Sequence, residues 1–202
     1  SQTDDLGPDL AIALKHKITA RGHAIAASRQ GIRATVVGAS QYTVQVSGST
    51  IFLDPADALP LRNIAVIAVP LALDEVIAPG PVAAAIAGAL AQIDNAGGAQ
   101  PVALALKWSG SASYARLAGL AKGIVTGLRP VLDAGHPLVL VVDGDIGGLL
   151  GMQCRSEEQV PGAIVSIDGI ALDTFDFIDI GAVIRATGAA PVVVKSLLFP
   201  TA

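Results

Sequence analysis

The sequence has few of the residues that build disulfides, cysteine-ligated metal sites or aromatic binding platforms. Its 202 residues include 1 Cys, 4 Phe, 2 Tyr and 1 Trp. The single Cys154 excludes an intramolecular disulfide and a cysteine cluster for zinc or iron–sulfur. The scarcity of cysteine favours a reducing, cytoplasmic location, and the scarcity of aromatic residues favours a core of Ala, Val, Leu and Ile.

Long apolar runs are also missing. The longest, residues 64–73, contains a proline and is about half as long as the roughly 20 residues of a membrane-spanning helix. Residues 1–10 lack the basic and then apolar layout of a signal peptide, and no methionine starts the chain. We therefore expect no membrane partner, and we interpret the sequence as part of a longer or processed chain.

Basic side chains are too scattered for a nucleic-acid partner. The net charge is −4, and none of the 13 Lys and Arg residues is adjacent to another. Residues 143–179 carry eight acidic side chains and one basic side chain, Arg155. Because a polyanion is bound by a basic stripe with aromatic platforms, this distribution argues against nucleic acid.

The first 59 residues predict a helix followed by short strands. Residues 5–22 have apolar side chains near helical spacing, with Asp5 as a cap and Gly22 as the stop. Three short β-branched runs separated by turns follow at residues 32–37, 42–46 and 50–54. These runs predict a small β-meander.

From residue 64 onward, strand-like and helix-like segments alternate. The strand-like segments are 64–69, 102–108, 138–143, 163–167, 175–180 and 192–199, and the helix-like segments are 81–93, 113–132 and 146–155. This alternation predicts an α/β fold with a mixed, largely parallel sheet flanked by helices. We divide the chain into residues 1–59, the helix and meander, and residues 60–202, the α/β domain. One continuous domain is the alternative.

A glycine-rich loop at the end of a strand is the first candidate for a ligand site. In residues 141–151, VVDGDIGGLLG, a buried strand ends and the chain turns into a helix. Ligands of open α/β sheets lie at such strand ends, and a helix N-terminus offers N–H groups to an anion. The candidate residues near a nucleotide or phosphate are Gly144, Asp145, Gly147 and Gly148.

The same loop also fits a capped tight turn. Asp143 and Asp145 place two carboxylates where a phosphate would bind, and they would repel it unless a cation lies between them. Asp145 is also a good helix N-cap. We expect no metal site, and Asp145 would be the ligand if one exists.

A turn rich in hydroxyl groups is the second candidate. It consists of Ser47, Gly48, Ser49 and Thr50, which combine polar side chains with a flexible backbone. Hairpin turns use the same residue types, so a structural role is the alternative.

We interpret the remaining polar residues as structural. The acidic set lacks the spacing of a calcium-binding EF-hand and predicts a solvated hairpin; it comprises Asp168, Asp173, Asp176 and Asp179. His16, His23 and His136 lack metal-ligand spacing, and Cys154 lacks a nearby histidine that would activate it. The Walker, G-x-G-x-x-G and G-x-S-x-G motifs are missing. We therefore assign no catalytic residue.

Several blocks of the sequence resemble the EutA family, the reactivating factors of ethanolamine ammonia-lyase. The most specific block is IRATVVGASQYTVQVSGSTIFL at 32–53. The others are LGPDLAIAL at 6–14, PLRNIAV at 60–66, VVDGDIGGLLG at 141–151, DFIDIGAVI at 176–184 and PVVVKSLLFP at 191–200. The resemblance extends in order over essentially all of the chain.

The resemblance implies a chaperone-like function in ethanolamine utilisation. Such a factor uses ATP to help ethanolamine ammonia-lyase exchange a damaged cobalamin for intact adenosylcobalamin, in the cytoplasm or in an ethanolamine-utilising microcompartment. The family is similar to actin-like and Hsp70-like ATPases, which implies ATP and Mg²⁺ as cofactors of the full-length protein.

This chain departs from the family in lacking its glycine-rich phosphate loops and adenosine motif; DGDIGG at 143–148 is only a partial echo. We therefore interpret it as the C-terminal part, without a cofactor or ATP hydrolysis of its own. The alternatives are a small Mg²⁺-dependent phosphate- or nucleotide-handling enzyme that uses loop 143–148, and a pure protein-interaction module. The lyase docking surface and the oligomeric state stay open.

Overall fold

The computed structural model describes residues 7–22, 40–71 and 73–197. The chain forms two units, residues 1–38 and residues 39–202. The first unit contains helix α1, Gly7–Ala20, which confirms the predicted N-terminal helix. The chain leaves the helix at Gly22, whose φ of +78° is readily adopted by glycine. The predicted cap Asp5 and the predicted strand 32–37 lie outside the described residues.

The second unit is built on one sheet of eight strands. These strands are β1 (Ser40–Val46), β2 (Phe52–Asp54), β3 (Leu61–Ala68), β4 (Val102–Lys107), β5 (Leu138–Asp143), β6 (Ile164–Asp168), β7 (Phe177–Ile180) and β8 (Pro191–Leu197). Their order across the sheet is β1-β8-β7-β3-β4-β5-β6-β2. The predicted α/β class with a mixed sheet is confirmed.

Two details of the predicted sheet are wrong. Strands β3 to β6 are parallel to one another, whereas every pairing outside this central group is antiparallel, so the sheet is only partly parallel. Strands β1 and β2 do not form a meander, because β1 pairs with β8 and β2 pairs with β6 at the opposite edge. The two described strands of the predicted meander, β1 and β2, thus belong to the same sheet as the later strands.

Four helices follow the central strands. They are α2 (Pro79–Gln92), α3 (Tyr114–Gly127), α4 (Arg129–Asp133) and α5 (Gly147–Ser156). The single helix predicted for residues 113–132 is wrong, since the chain forms α3 and α4 with a break at Leu128. Pro130 explains the break, because a proline inside a helix lacks the N–H and clashes with the preceding turn. No helix of the described residues is long and apolar enough to cross a membrane.

The central strands are buried on both faces. One face packs against the helices, through strand residues such as Leu104 and Leu140 and helix residues such as Ile86. The other face joins alternate residues of the central strands to β7 and β8 in a second apolar cluster. Burial on two sides explains why residues 138–143 form a continuous apolar run instead of an alternating one.

Helices α2 and α3 approach closely along a glycine stripe. Gly119, Gly123 and Gly127 lie four residues apart on α3 and therefore on one face of the helix. A Cβ at Gly123 would lie 2.5 Å from Val82 Cβ, and a Cβ at Gly127 would lie 2.8 Å from Ile86 Cβ. The close packing that these small residues allow is therefore internal to this chain.

Candidate functional site

The structure brings the two predicted ligand loops together. The Gly48 N–H donates to the Asp168 carbonyl at 3.0 Å, and the Gly148 N–H donates to the Thr50 carbonyl at 2.7 Å. Asp168 ends β6, which lies between β5 and β2 in the sheet. The hydroxyl-rich turn before β2 and the N-terminus of α5 after β5 thus meet at the carboxyl end of β6.

Asp168 is the centre of this junction. Its residue surface is only 1% exposed, and its Oδ2 accepts the Gly147 N–H at 3.2 Å. A Cβ at Gly48 would lie 2.3 Å from Asp168 Oδ1, so a residue without a side chain is needed there. Ser166 supports the same turn by donating its hydroxyl to the Gly147 carbonyl at 2.7 Å.

Burial changes the acidity of Asp168. Desolvation by its surroundings raises the pKa of this carboxyl above its ordinary value. The Gly147 N–H stabilises the charged form and opposes the shift, whereas the neighbouring Asp145 carboxylate adds to it. Asp145 itself is exposed. The junction therefore holds one buried and one exposed carboxylate close together.

The N–H groups at the start of α5 already have protein acceptors. Gly147 donates to the Asp168 carboxylate and Gly148 donates to the Thr50 carbonyl. Asp168 thus occupies the position at a helix N-terminus where a bound anion would lie. The exposed carboxylates of Asp143 and Asp145 remain available to a partner or a cation.

The other residues of the two loops have different surroundings. Ser47 is buried; its hydroxyl donates to the Gly48 carbonyl at 2.8 Å and accepts the Ala190 N–H at 2.9 Å. Ser49 is exposed. Gly144 has a φ of +146°, and a Cβ there would lie 2.9 Å from Trp108 Cβ. Ser47 and Gly144 therefore have packing roles, whereas Ser49 faces solvent.

The predicted solvated acidic hairpin is wrong for two of its members. Asp168 and Asp176 are buried, with 1% and 6% of their surface exposed. Asp176 accepts the backbone N–H of Asp173 at 2.9 Å and so closes a turn. Within the described ranges, no three His, Cys, Asp or Glu residues are grouped as metal ligands.

Asp179 lies elsewhere on the sheet, in an ion pair on neighbouring strands. Lys195 Nζ lies 2.7 Å from Asp179 Oδ2, and the Asn63 N–H donates to Asp179 Oδ1 at 2.7 Å. Partial burial opposes ionisation of Asp179, but these two donors outweigh it and lower the pKa of the carboxyl. The predicted set thus consists of the buried Asp168, the turn formed by Asp173 and Asp176, and the ion-paired Asp179.

Cys154 lies inside the apolar core. It is completely buried on α5, and burial, with a smaller effect from Glu158, raises the pKa of its thiol to about 12. A thiol that stays protonated is a poor nucleophile and metal ligand. The structure agrees with the interpretation of Cys154 as an inert residue.

The structure also shows a polar cluster around Arg116 that the sequence analysis did not predict. This residue lies in the first turn of α3, and its guanidinium stacks on the Trp108 ring at 4.3 Å from the ring centroid. It also donates to carbonyls of the loops that follow β3 and β4. The available signal was the serine- and glycine-rich segment 109–113 between a buried strand and a helix.

Comparison with known proteins identifies related sequences. A family model described as "Ethanolamine utilisation protein EutA" matches residues 1–200. The chain is 37% identical over 198 residues to the ethanolamine ammonia-lyase reactivase EutA of Escherichia coli strain K12. It is 35% identical over 198 residues to the protein of the same name from Salmonella typhimurium strain LT2.

The two relatives are considerably longer than this chain. Each match covers 98% of the chain but 40% of the relative, so the chain spans less than half of their length. No solved structure matches the chain. The actin-like architecture that the family resemblance implies therefore stays a prediction.

Proposed function

Because this chain belongs to the EutA family, we propose that it is the C-terminal region of an ethanolamine ammonia-lyase reactivase. The observation that carries this proposal is the match over 98% of the chain to two proteins of that name. The proposed partner is ethanolamine ammonia-lyase, in the cytoplasm or in an ethanolamine-utilising microcompartment. An independent phosphate-handling enzyme is not favoured, because the family match extends over the whole fold and not just over loop 143–148.

In this proposal the longer protein uses ATP and Mg²⁺ to help the lyase release a damaged cobalamin. The present region supplies a rigid α/β body whose central strands are buried on both faces. It carries the loop at the end of β5 as its contribution to an actin-like nucleotide cleft. The damaged cobalamin is released from the lyase so that intact adenosylcobalamin can enter.

Asp145 is the residue of that loop that we propose to act at the nucleotide. The N–H groups of Gly147 and Gly148 are already bonded within the chain, whereas the Asp145 carboxylate is exposed. Carboxylate oxygens are suitable ligands for the Mg²⁺ that accompanies ATP. Asp145 would hold that ion directly or through water, and Asp168 would keep the loop in place.

This assignment is tested in a chimera of the E. coli reactivase whose matching segment is replaced by the present chain. Asp145→Ala should weaken binding of ATP with Mg²⁺ by about tenfold, as expected for the loss of one charged contact. Asp133→Ala, which removes an exposed carboxylate paired with Arg129 on α4, is the control. Calorimetric titration measures both, and equal affinities would remove Asp145 from the nucleotide site.

The proposed function itself is tested by recovery of lyase activity. Purified ethanolamine ammonia-lyase that holds an inactive cobalamin is incubated with the chimera, ATP, Mg²⁺ and free adenosylcobalamin. We expect activity to return at a rate comparable to that given by the unmodified reactivase. A folded chimera that binds the lyase but restores no activity would show that the chain is an interaction module only.

A further inference from the structure

A cavity of about 490 Å³ opens at the carboxyl ends of two parallel strands. It lies between the loop after β3 and the loop after β4, well apart in sequence from loop 143–148. Its lining combines polar and apolar surface in about equal parts and consists of Leu73, Asp74, Glu75, Ser109, Gly110, Ser111, Ser113 and Arg116. Carboxyl ends of parallel strands are where open α/β sheets bind their ligands.

Arg116 fixes the walls of this cavity. Its Nε donates to the Asp74 carbonyl at 2.9 Å, and its Nη2 donates to the Leu73 and Ser109 carbonyls, each at 2.8 Å. Its Nη1 donates to the Ser111 carbonyl. One side chain therefore joins both loops and gives the cavity a defined shape.

The charge of Arg116 lacks a counterion in the described part of the chain. Arg116 is 5% exposed, all four acceptors of its hydrogen bonds are neutral carbonyls, and it forms no ion pair with a described carboxylate. A guanidinium has five N–H groups, so one on Nη1 is left without an acceptor. Neither these carbonyls nor the Trp108 ring that stacks on the guanidinium carries a net negative charge. An anion in the cavity would therefore supply the missing counterion.

Glycine at position 110 keeps the Nη1 side of the guanidinium accessible. Gly110 has a φ of +81°, and a Cβ there would approach Arg116 Nη1 to 3.0 Å. A larger residue would be strained in this backbone conformation and would crowd the guanidinium.

The N-terminus of α3 opens onto the same cavity. Its N-cap Ser113 has an extended backbone and forms no side-chain cap. Within the described ranges, no acceptor is bonded to the N–H groups of Tyr114, Ala115 and Arg116. The other long helices of this unit differ, since α5 donates to Asp168 and Thr50 and α2 begins with prolines. Free N–H groups and the helix dipole favour a bound anion.

We propose that this cavity is an oxyanion site that takes the phosphate group of a small ligand. Arg116 supplies a buried positive charge without a counterion, the first turn of α3 supplies N–H donors, and the serines of 109–113 supply hydroxyl groups. Asp74 and Glu75 are exposed at the rim and oppose the anion, so binding of a free phosphate is weak. The site is independent of the proposed reactivase function, because it uses neither Asp145 nor the lyase.

The test is a titration of the 202-residue chain with inorganic phosphate at constant ionic strength, followed by backbone amide chemical shifts. We expect saturable shifts at residues 109–117 with a dissociation constant in the millimolar range. Methyl phosphate, titrated in parallel, distinguishes the two sources of the same group: tighter binding of the ester assigns the site to a phosphorylated ligand, and weaker binding assigns it to free phosphate. Either result supports the oxyanion site.

Tyr114→Pro isolates the contribution of the helix N-terminus. Proline is favoured at the first helical position and removes only its N–H, and the extended Ser113, at ψ 151°, tolerates a following proline. Tyr114→Ala keeps the N–H and removes the same exposed ring. We expect phosphate to bind about threefold or more weakly to Tyr114→Pro than to Tyr114→Ala, as for one lost hydrogen bond.

Glu75→Gln tests the location of the site through a change that should strengthen phosphate binding, whereas Tyr114→Pro should weaken it. Removing this rim charge should tighten phosphate binding by about twofold or more, because it removes a repulsion. Three results would overturn the proposal: no saturable shift in the folded chain, equal affinity of Tyr114→Pro and Tyr114→Ala, or shifts centred on Gly147 and Gly148. None of these outcomes depends on whether the longer protein reactivates a lyase.

Discussion

A single residue at the end of β6, Asp168, joins the hydroxyl-rich turn 47–50 to the glycine-rich loop 143–148. Asp168 bonds the start of α5 through Gly147, and its carbonyl accepts the N–H of Gly48. A protein acid at a helix N-terminus gives the same electrostatic stabilisation as a bound anion. The loop is therefore held by bonds within the chain, and the exposed Asp145 carboxylate stays accessible to a ligand.

The raised pKa of Asp168 predicts a pH dependence of stability. A carboxyl with a higher pKa in the folded state binds its proton more tightly there than in the unfolded chain. Its contribution to the free energy of unfolding is thus largest below the ordinary value of 3.8 and falls as pH rises through the folded pKa. Asp168→Asn keeps an acceptor for Gly147 and should remove this fall.

Urea unfolding at a series of acidic to neutral pH values measures the effect. The difference in unfolding free energy between Asp168→Asn and the parent should grow in favour of the variant as pH rises. Asp143→Asn, which removes an exposed carboxylate at the end of β5, is the matched control. A pH-independent difference for Asp168→Asn would contradict the assigned effect of burial.

At the scale of the elements, close contact between α2 and α3 depends on glycine. Gly123→Ala would place a Cβ 2.5 Å from Val82 Cβ and 2.8 Å from the Pro79 carbonyl oxygen. Although alanine favours a helix by about 1 kcal/mol relative to glycine, overpacking costs about 1–3 kcal/mol. We therefore expect Gly123→Ala to destabilise the protein or, at the lower limit, to be neutral.

Gly88→Ala is the matched control on α2. No atom lies within 4 Å of a Cβ at Gly88, so only the helix propensity changes and the variant should gain about 0.4–1 kcal/mol. Chemical denaturation of both variants gives the comparison. Equal stabilisation by Gly123→Ala and Gly88→Ala would mean that the two helices do not pack closely at this stripe.

The helices and strands differ in how well the sequence predicts them. Continuous apolar runs and turn residues predict the central strands and most helices, because these signals are local. The opposite placement of β1 and β2 could not be predicted, since it depends on pairing with strands more than a hundred residues away. The break at Leu128 has a local signal in Pro130, which lies inside the helix-like segment 113–132.

The candidate site likewise has features that the sequence predicts and features that it does not. Gly147 and Gly148 could be identified because a glycine-rich turn follows a buried strand. Their contact with the segment 47–50 could not, because it requires the pairing of β2 with β6. Asp168 was predicted to be solvated, and its burial could not be predicted for the same reason, because it comes from neighbours distant in sequence.

At the scale of the whole molecule, the chain spans less than half the length of its two curated relatives. It covers 40% of each curated relative, and the described residues provide a sheet core with a loop junction on one edge. In our account this region acts with segments that it does not contain. Its function is therefore measured best when it is joined to them.

The most direct measurement is the release of damaged cobalamin from ethanolamine ammonia-lyase by the chimera of this chain with the E. coli reactivase. The lyase is loaded with inactive cobalamin, and free cobalamin is separated by ultrafiltration and quantified by absorbance, with and without ATP and Mg²⁺. We expect release that requires both the chimera and the nucleotide. A folded chimera that leaves the cobalamin on the lyase, when the unmodified reactivase removes it, would show that this chain does not act as part of a reactivase.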